Sequence, residues 1–219
     1  QPNVGKSSLL NALTGEDRTI VSEVSGTTRD SIHTEYKLFQ KHCILIDTAG
    51  IRKKSKEKEN LEFYSIIRAI KAIDEADVCL LVLDAQKGIT AQDVSIFSLA
   101  ARKGKGIVIL VNKWDVIEKN TQTAKQFEPT LLSKLAPFTD IPILFISAKE
   151  KTRIYKALEI AFEVYENKQR KIPTNRLNDI LLKIIAAHPA PLTRGHTISI
   201  KYITQLPAKT PSFVFFSNH

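Results

Sequence analysis

Four short and almost uninterrupted apolar runs alternate with helical patterns through residue 166, and this alternation restricts the fold more than any other feature. The runs occupy residues 44–46, 78–83, 107–111 and 143–146. Such runs are typical of strands in a parallel sheet that is covered on both faces. Helical patterns occur at residues 6–13, 62–73, 91–102, 129–136 and 153–166. We therefore predict a doubly wound α/β domain with a mostly parallel sheet.

A tripeptide near the first residue indicates a phosphate site. Gly5, Lys6 and Ser7 match the last three positions of the phosphate loop G-x-x-x-x-G-K-[ST], whose first glycine would precede Gln1. In such a loop, backbone N–H groups and the positive end of the following helix hold the phosphates. Lys6 would reach the β- and γ-phosphates, and the Ser7 hydroxyl would bind Mg²⁺. By itself, the tripeptide also fits a chance occurrence at a helix start.

Three further motifs each follow a predicted strand. DTAG, at residues 47–50, supplies a carboxylate for a Mg²⁺-bound water and a glycine N–H for a γ-phosphate. NKWD, at residues 112–115, ends in a carboxylate that can accept both N–H groups of the guanine N1/N2 edge, a donor pair that adenine lacks. SAK, at residues 147–149, can close over the base. Since ligands bind at the carboxyl ends of strands in open α/β sheets, these motifs predict a guanine-nucleotide site.

The motif set resembles translation-factor-type GTPases, and in particular the Der (EngA) family of bacterial GTPases. TTRD resembles the switch I of the subgroup that contains the tRNA-modification GTPase and Era. The Der-type stretches are DTAGIRKK, EFYSIIRAIKAI, DAQKGIT, NKWD, RLN, KYITQLP and PSFVFF. The resemblance implies a G domain over residues 1–170, whose first strand would lie upstream, and the N-terminal half of a KH-like α+β domain over residues 171–219. It also implies a further G domain upstream in the same polypeptide.

The resemblance implies GTP or GDP with Mg²⁺ as ligands, and the motifs assign residues to them. We expect Lys6, Gly50 and a switch I threonine to act in catalysis, with Thr28 as first choice and Thr27 as second. The expected Mg²⁺ ligands are Ser7, Thr28 and Asp47. The expected nucleotide-binding residues are Asn3, Val4, Gly5, Lys6, Ser7, Ser8, Asp47, Thr48, Ala49, Gly50, Ile51, Asn112, Lys113, Trp114, Asp115, Ser147, Ala148 and Lys149.

Two positions bear on how the attacking water is oriented. Ile51 stands where Ras-like proteins have the glutamine that orients the attacking water. Isoleucine cannot hydrogen-bond, so backbone of switch I or a cation must orient the water. In relatives of this type, a phosphate-loop asparagine helps to hold K⁺, and Asn3 falls on that position, which makes K⁺ a candidate cofactor. The alternative reading of Asn3 is a turn residue that tolerates unusual backbone angles.

The distribution of charge favours anionic partners. The chain carries a formal net charge of +9. From Lys171 onward there are six Lys or Arg and one acid, Asp179, so this segment holds a large share of the excess. The resemblance implies the large ribosomal subunit or its rRNA as partner. The segment from Lys171 onward holds a single glycine, Gly195, and therefore no GXXG loop of the kind by which KH modules grip a nucleic-acid backbone.

Further sequence features favour a cytoplasmic protein. The sequence has no run of 18 or more apolar residues that would span a membrane and no signal-peptide pattern at its start. Cys43 and Cys79 lie in apolar runs and are read as reduced, buried thiols. We therefore expect a cytoplasmic location and no membrane partner.

These residues are compatible with three functions to different degrees. We predict a GTP-binding and GTP-hydrolysing switch in ribosome biogenesis, in assembly of the large subunit. The alternative is an RNA-binding module whose regulatory G domain does not turn over, against which the intact Lys6, Ser7, Asp47 and Asp115 argue. A metabolic P-loop enzyme, such as a kinase of a small substrate, is the third, and NKWD argues against it because guanine selection is typical of switches.

Overall fold

The computed structural model describes residues 3–15, 20–24, 33–38, 41–46, 61–118, 123–192 and 197–218. The chain divides into two compact units, Gln1–Val164 and Tyr165–His219, and each is described by itself. The division falls inside the helix Ile154–Gln169, while the domain boundary after residue 170 stays a prediction.

The first unit alternates helices and strands. Its elements are α1 (Lys6–Thr14), β1 (Ile20–Val24), β2 (His33–Leu38), β3 (Lys41–Leu45), α2 (Leu61–Glu75), β4 (Val78–Asp84), α3 (Ala91–Arg102), β5 (Gly106–Asn112), a short 3-10 helix (Trp114–Val116), α4 (Thr123–Ser133), β6 (Ile143–Phe145) and α5 (Ile154–Gln169). The strands that the structure describes in this unit form two sheets, with orders β1-β2-β3 and β4-β5-β6.

The sheet β4-β5-β6 is parallel and is covered on both faces. Leu83 pairs with Val111 and Val111 with Phe145 in its register. Successive residues of β5 enter two different cores because side chains alternate between the faces of a strand. Val108 and Leu110 pack with residues of α1 and α5, whereas Ile109 and Val111 pack with residues of α3 and α4. The predicted doubly wound parallel sheet is confirmed.

The sheet β1-β2-β3 is antiparallel, and the sequence analysis did not predict its first two strands. β3 pairs antiparallel with β2, which a mostly parallel sheet allows, and it contains the first two residues of the apolar run at 44–46. In β2, Thr34 and Tyr36 are buried while Lys37 is exposed. Every second residue of a strand faces the same side, so burial on one side alternates along β2. The charged residue between Thr34 and Tyr36 conceals this pattern from a search for continuous apolar runs.

Helix α4 begins earlier than predicted. The pattern predicted a helix over residues 129–136. The helix instead covers Thr123–Ser133 and contains Pro129 in its interior. The prediction for α3, residues 91–102, agrees with the structure at both ends.

The second unit contains one helix and one hairpin after the end of α5. Helix α6 (Thr174–Ala187) packs against β7 (Ile200–Leu206), which pairs antiparallel with β8 (Ser212–Ser217). The Asn178 side chain joins α6 to β7: its Oδ1 accepts from the Ile203 N–H and its Nδ2 donates to the Ile203 carbonyl, both at 2.8 Å. The predicted helix and two strands are confirmed, with ends shifted by a few residues.

Among the helices in the described part of the chain, none is long and apolar enough to cross a membrane.

Candidate functional site

The loop before α1 has an unusual backbone. Asn3 has φ of 59° and Gly5 has φ of 92°, both in the left-handed region. Val4 lies between them and is buried. A Cβ on Gly5 would collide with Nδ2 of Asn112. Glycine is therefore required at position 5 for two reasons, backbone angle and close approach.

The first turn of α1 is open to an anion. Gly5 is the N-cap and supplies no side-chain cap, and the turn holds no acidic residue. Lys6, Ser7 and Ser8 are exposed. Since the first N–H groups of a helix have no partner within it, they carry a partial positive charge at its end. Lys6 adds a full charge, so the structure places the predicted phosphate residues where an anion can reach them.

Asn112, at the end of β5, connects three loops. Its side chain is buried. Nδ2 donates to the Val4 carbonyl at 2.7 Å, and Oδ1 accepts from the Ala148 N–H at 2.9 Å. Its main-chain carbonyl accepts from the Ala85 N–H at 2.9 Å. One amide side chain thus holds the predicted phosphate loop and the predicted base-closing loop beside the end of β5.

Lys113 is held at its backbone and at its ammonium group. Its φ is 63° and it caps the short 3-10 helix. Its Nζ donates to Oδ2 of Asp84 at 2.6 Å, and Asp84 is buried at the end of β4. Burial alone would raise the pKa of Asp84, but the Lys113 ammonium and the Gln86 N–H outweigh it and hold that pKa below its ordinary value.

Asp84 is the functional candidate that the sequence analysis missed. It is the first residue of the DAQKGIT stretch, which contributes to the family resemblance but was given no role in the site. A signal was present, since the aspartate directly follows an apolar strand, as the motif residues do. Its partner could not be read from the sequence because Lys113 is 29 positions away.

Trp114 anchors the same loop in the core. Its ring contacts Phe145 with a centroid distance of 4.3 Å and Phe127 at 5.8 Å. Its main-chain N–H donates to the Ile146 carbonyl at 3.1 Å. Asp115 follows inside the 3-10 helix, and its Oδ1 atom is buried. The rigid tryptophan therefore sets the position of the carboxylate that is predicted to recognise guanine.

The Ser147–Lys149 segment forms a closed turn after β6. Ser147 and Thr152 exchange main-chain hydrogen bonds of 3.2 and 2.9 Å. The Ser147 side chain is buried, and its Oγ accepts from the Glu150 N–H at 3.1 Å. Ala148 is joined to Asn112 as described above, while Lys149 is exposed. The turn is thus fixed beside the end of β5.

The remaining predicted site residues lie outside the described residues. They are Thr27, Thr28, Asp47, Thr48, Ala49, Gly50 and Ile51. Of the expected Mg²⁺ ligands, the structure therefore describes Ser7 alone. Its described ranges contain no group of three or more His, Cys, Asp or Glu that could hold a metal ion. Cys43 and Cys79 are not joined in a disulfide, and both are half-buried, so the expectation of buried thiols was wrong. Partial burial raises the pKa of Cys43.

The described loops fit a nucleotide in their geometry and donor set. Gly5 begins a helix that has no side-chain N-cap and no acidic residue in its first turn, and Lys6 makes this start basic, which suits phosphate oxygens. The Asn112 hydrogen bonds hold that loop next to the loop of Asp115, an acceptor-only carboxylate. A parallel sheet with a phosphate loop and such a base-selecting loop at its carboxyl edge defines a P-loop G domain.

Comparison with family models identifies the class. The model described as 50S ribosome-binding GTPase matches residues 1–113. The chain belongs to this family. A second model, described as the KH-domain-like region of EngA bacterial GTPase enzymes, C-terminal, matches residues 171–219. The predicted KH-like fold of this segment is confirmed.

The resemblance to Der (EngA) GTPases is confirmed over the whole chain. GTPase Der of Flavobacterium johnsoniae is 52% identical over 218 residues, with 100% of this chain and 50% of the relative covered. GTPase Der of Phocaeicola vulgatus is 55% identical over 220 residues with the same coverage. The chain therefore spans about half the length of the curated relatives it matches.

Solved structures share the fold. Era in complex with MgGDPNP and a segment of 16S ribosomal RNA has a TM-score of 0.56 and 24% identity, with 94% of this chain and 71% of that chain covered. A probable GTP-binding protein engB has a TM-score of 0.55 and 24% identity, with 76% of this chain and 96% of that chain covered. At this identity, the comparison supports the fold alone.

Proposed function

We propose that this chain binds GTP with Mg²⁺, hydrolyses it to GDP and phosphate, and acts as a switch in ribosome biogenesis. The observation that carries the proposal is the Asn112 side chain, which holds the Val4 carbonyl and the Ala148 N–H at hydrogen-bond distance. This single buried amide thereby fixes the phosphate loop beside the loops that are proposed to bind the base. Family membership supports the same conclusion.

Each part of the nucleotide has a proposed partner in the chain. Lys6 and the first turn of α1 neutralise the phosphates, since both present positive charge at an exposed surface. Asp115 accepts from the guanine N1/N2 edge, and Ala148 closes over the base. Ser7, Thr28 and Asp47 are the proposed ligands of Mg²⁺, which when bound offsets charge on the β- and γ-phosphate oxygens. Thr28, Thr27 and Gly50 are proposed to contact the γ-phosphate during hydrolysis.

K⁺ is the proposed substitute for a water-orienting side chain. Ile51 has no hydrogen-bonding group, so orientation or charge compensation must come from elsewhere. Asn3 belongs to the phosphate loop, and its φ of 59° agrees both with a cation-binding position and with a turn asparagine. The two roles make different predictions for turnover in KCl and NaCl, because a turn residue has no preference between the ions.

The proposed partner is the large ribosomal subunit or its rRNA. The family is described by its 50S ribosome binding, and the KH-like segment carries an excess of basic residues. Because the Der relatives are about twice as long as this chain, an upstream G domain in the same polypeptide is part of the proposal, as is the cytoplasmic location.

The test measures guanine selection in the full-length protein. We expect GDP, but not ADP, to change the fluorescence of Trp114, the single tryptophan of this chain. Asp115→Asn should weaken GDP binding at this site by about a hundredfold and make the site favour xanthine nucleotides, because one carboxylate acceptor becomes a donor. The proposed upstream G domain should keep its own GDP affinity. Asp140→Asn, a change at an exposed carboxylate away from the motif, is the control and should bind GDP as the wild type does.

Phosphate release is the second arm of the experiment. GTP turnover in KCl should exceed turnover in NaCl at equal ionic strength, and Asn3→Ala should abolish the difference. Equal rates in both salts would remove K⁺ from the proposal. GTP binding without any phosphate release, with or without ribosomal subunits, would instead support an RNA-binding module with a regulatory G domain.

A further inference from the structure

Asp84 and Lys113 form an ion pair beside the proposed nucleotide site, with a buried carboxylate and a partly exposed lysine. Asp84 is 2% exposed, and its Oδ2 accepts from Lys113 Nζ at 2.6 Å. Its Oδ1 accepts from the Gln86 N–H at 3.0 Å, and its main-chain carbonyl accepts from the N–H groups of Lys87 and Gly88 at 3.1 and 2.9 Å. Both carboxylate oxygens are thus engaged, one of them by a charged side chain.

The pair lies at the ends of two neighbouring strands. Asp84 and Asn112 are register partners in β4 and β5, and the Ala85 N–H donates to the Asn112 carbonyl at 2.9 Å. Lys113 follows Asn112 directly, and the Asp115 carboxylate comes two residues later. A rigid strand end therefore presents Asp84 to the loop that is proposed to select guanine, which is the support that a precise binding group needs.

The contact removes freedom from a side chain that ordinarily has much of it. Lysine loses more rotamer entropy on ordering than most residues. The backbone of Lys113 is set by a φ of 63°, and its ammonium is set by Asp84. The aliphatic stem between these two points is therefore held before any ligand arrives, and preorganised groups bind at a lower entropic cost. Such a stem suits the flat apolar face of a purine ring.

A purely packing role for Asp84 agrees less well with its charge. Burying a carboxylate is costly unless it is paired, and an uncharged residue would close the end of β4 without that cost. The lowered pKa of Asp84 keeps the carboxylate ionised at neutral pH, so the ion pair with Lys113 persists under working conditions.

We propose that Asp84 is a positioning residue that holds Lys113 against the purine base of a bound guanine nucleotide and thereby slows dissociation of that nucleotide. This inference rests on the proposed function, since it requires a guanine nucleotide at the Asp115 loop. Asp84 itself touches neither the base nor the phosphates in this proposal and acts through Lys113.

The experiment is a double-mutant cycle on nucleotide dissociation in the full-length protein. The probe is N-methylanthraniloyl-GDP, displaced by excess GDP, and the Asp115→Asn variant identifies the kinetic phase that belongs to this site. We expect Asp84→Asn to accelerate that phase about tenfold, as for loss of a hydrogen bond between charged groups. Lys113→Gln should accelerate it to a similar extent, and the double variant should be no faster than Lys113→Gln alone.

Two further variants keep the test decisive. Asp74→Asn removes a second Lys–Asp contact, in which the Asp74 carboxylate, about half exposed, pairs with Lys103. This variant should leave nucleotide dissociation unchanged. Asp84→Glu keeps the charge and serves if Asp84→Asn does not fold. We expect it to accelerate dissociation less than tenfold, again without additivity to Lys113→Gln.

The outcomes separate the inference from the proposed function. Absence of any GDP dissociation phase that Asp115→Asn removes would overturn both. Binding by the wild type with unchanged dissociation from Asp84→Asn would overturn the inference alone. Additive effects of the two single variants would also overturn it, because a residue that acts only through packing contributes independently of Lys113.

Discussion

At the scale of single residues, Gly5 shows how a sequence motif becomes a spatial requirement. Its φ of 92° is strained for any residue with a Cβ. In addition, a Cβ there would meet the Asn112 side chain, which holds the Val4 carbonyl at 2.7 Å. The motif glycine therefore protects the hydrogen bond that joins the phosphate loop to the end of β5.

The Gly5→Ala variant tests this double requirement. We expect it to lower the free energy of unfolding by about 2–4 kcal/mol, from backbone strain together with loss of a buried hydrogen bond. The measurement is urea unfolding followed by Trp114 fluorescence. Gly88→Ala is the matched control, because Gly88 has φ of 65° but nothing within 4 Å of its added Cβ.

The control isolates backbone strain from collision. Gly88→Ala should cost about 1 kcal/mol, which is the strain of a left-handed alanine without any steric contact. Equal losses in the two variants would mean that the approach of Asn112 to Gly5 does not contribute to stability.

At the scale of elements, the start of α3 is defined by a signal that lies within a few residues of the chain. Thr90 is the N-cap, and Thr90 and Asp93 form a reciprocal capping box. Asp93 Oδ2 accepts from the Thr90 N–H at 2.9 Å and from its hydroxyl at 2.6 Å. Asp93 is buried, so these donors also compensate a desolvated carboxylate. The cap thereby fixes where the chain enters α3 after the Asp84 turn.

Thr90→Ala should lower the free energy of unfolding by about 1–2 kcal/mol, which is the usual effect of removing an N-cap and is increased here by the burial of Asp93. Thermal unfolding monitored by circular dichroism measures the loss. Ser95→Ala lies in the same helix, and its hydroxyl donates only to the Ala91 carbonyl at an exposed position. This second variant should change stability by less than about 0.5 kcal/mol, and a comparable loss there would argue against a special role for the cap.

The antiparallel sheet illustrates the opposite case. β2 is a strand because Thr34 and Tyr36 bury one face and because its backbone pairs with β1 and β3. Its sequence, HTEYKL, lacks a continuous apolar run, and its partners come from separate segments. The strand is therefore decided by pairing more than by its own composition.

At the scale of the whole molecule, basic charge in the second unit is the main support for a nucleic-acid partner. Lys171, Lys183, Lys201 and Lys209 are all exposed there. Their density favours phosphate contacts, and residues 171–219 contain no GXXG sequence that would form a loop clamp.

We expect the full-length protein to bind rRNA of the large subunit with an affinity that falls as salt rises. Lys183→Gln and Lys201→Gln should each reduce the slope of log K against log salt by about 0.7–0.9, as for one lost phosphate contact. Filter binding across a range of KCl concentrations gives the slope. Lys156→Gln in the first unit, where Lys156 pairs with Glu159 at 2.8 Å, is the control, and an equal effect there would point to net charge alone.

The sequence by itself determined the class of the protein and most of its proposed site. Gly5-Lys6-Ser7, NKWD and SAK are contiguous motifs, and each carries its chemistry in neighbouring residues. The parallel strands were predictable for the same reason, since a strand buried on both faces is apolar along its own length.

Only the tertiary structure decided which loops meet and through which atoms. Asn112 contacts Val4 across 108 positions, and Lys113 contacts Asp84 across 29. The second contact exists because the parallel strands β4 and β5 bring their carboxyl ends, Asp84 and Asn112, to one edge of the sheet, where residues distant in the chain become neighbours. A polar residue beside an apolar run is visible in the sequence, but its partner depends on strand order and register, which are properties of the folded chain.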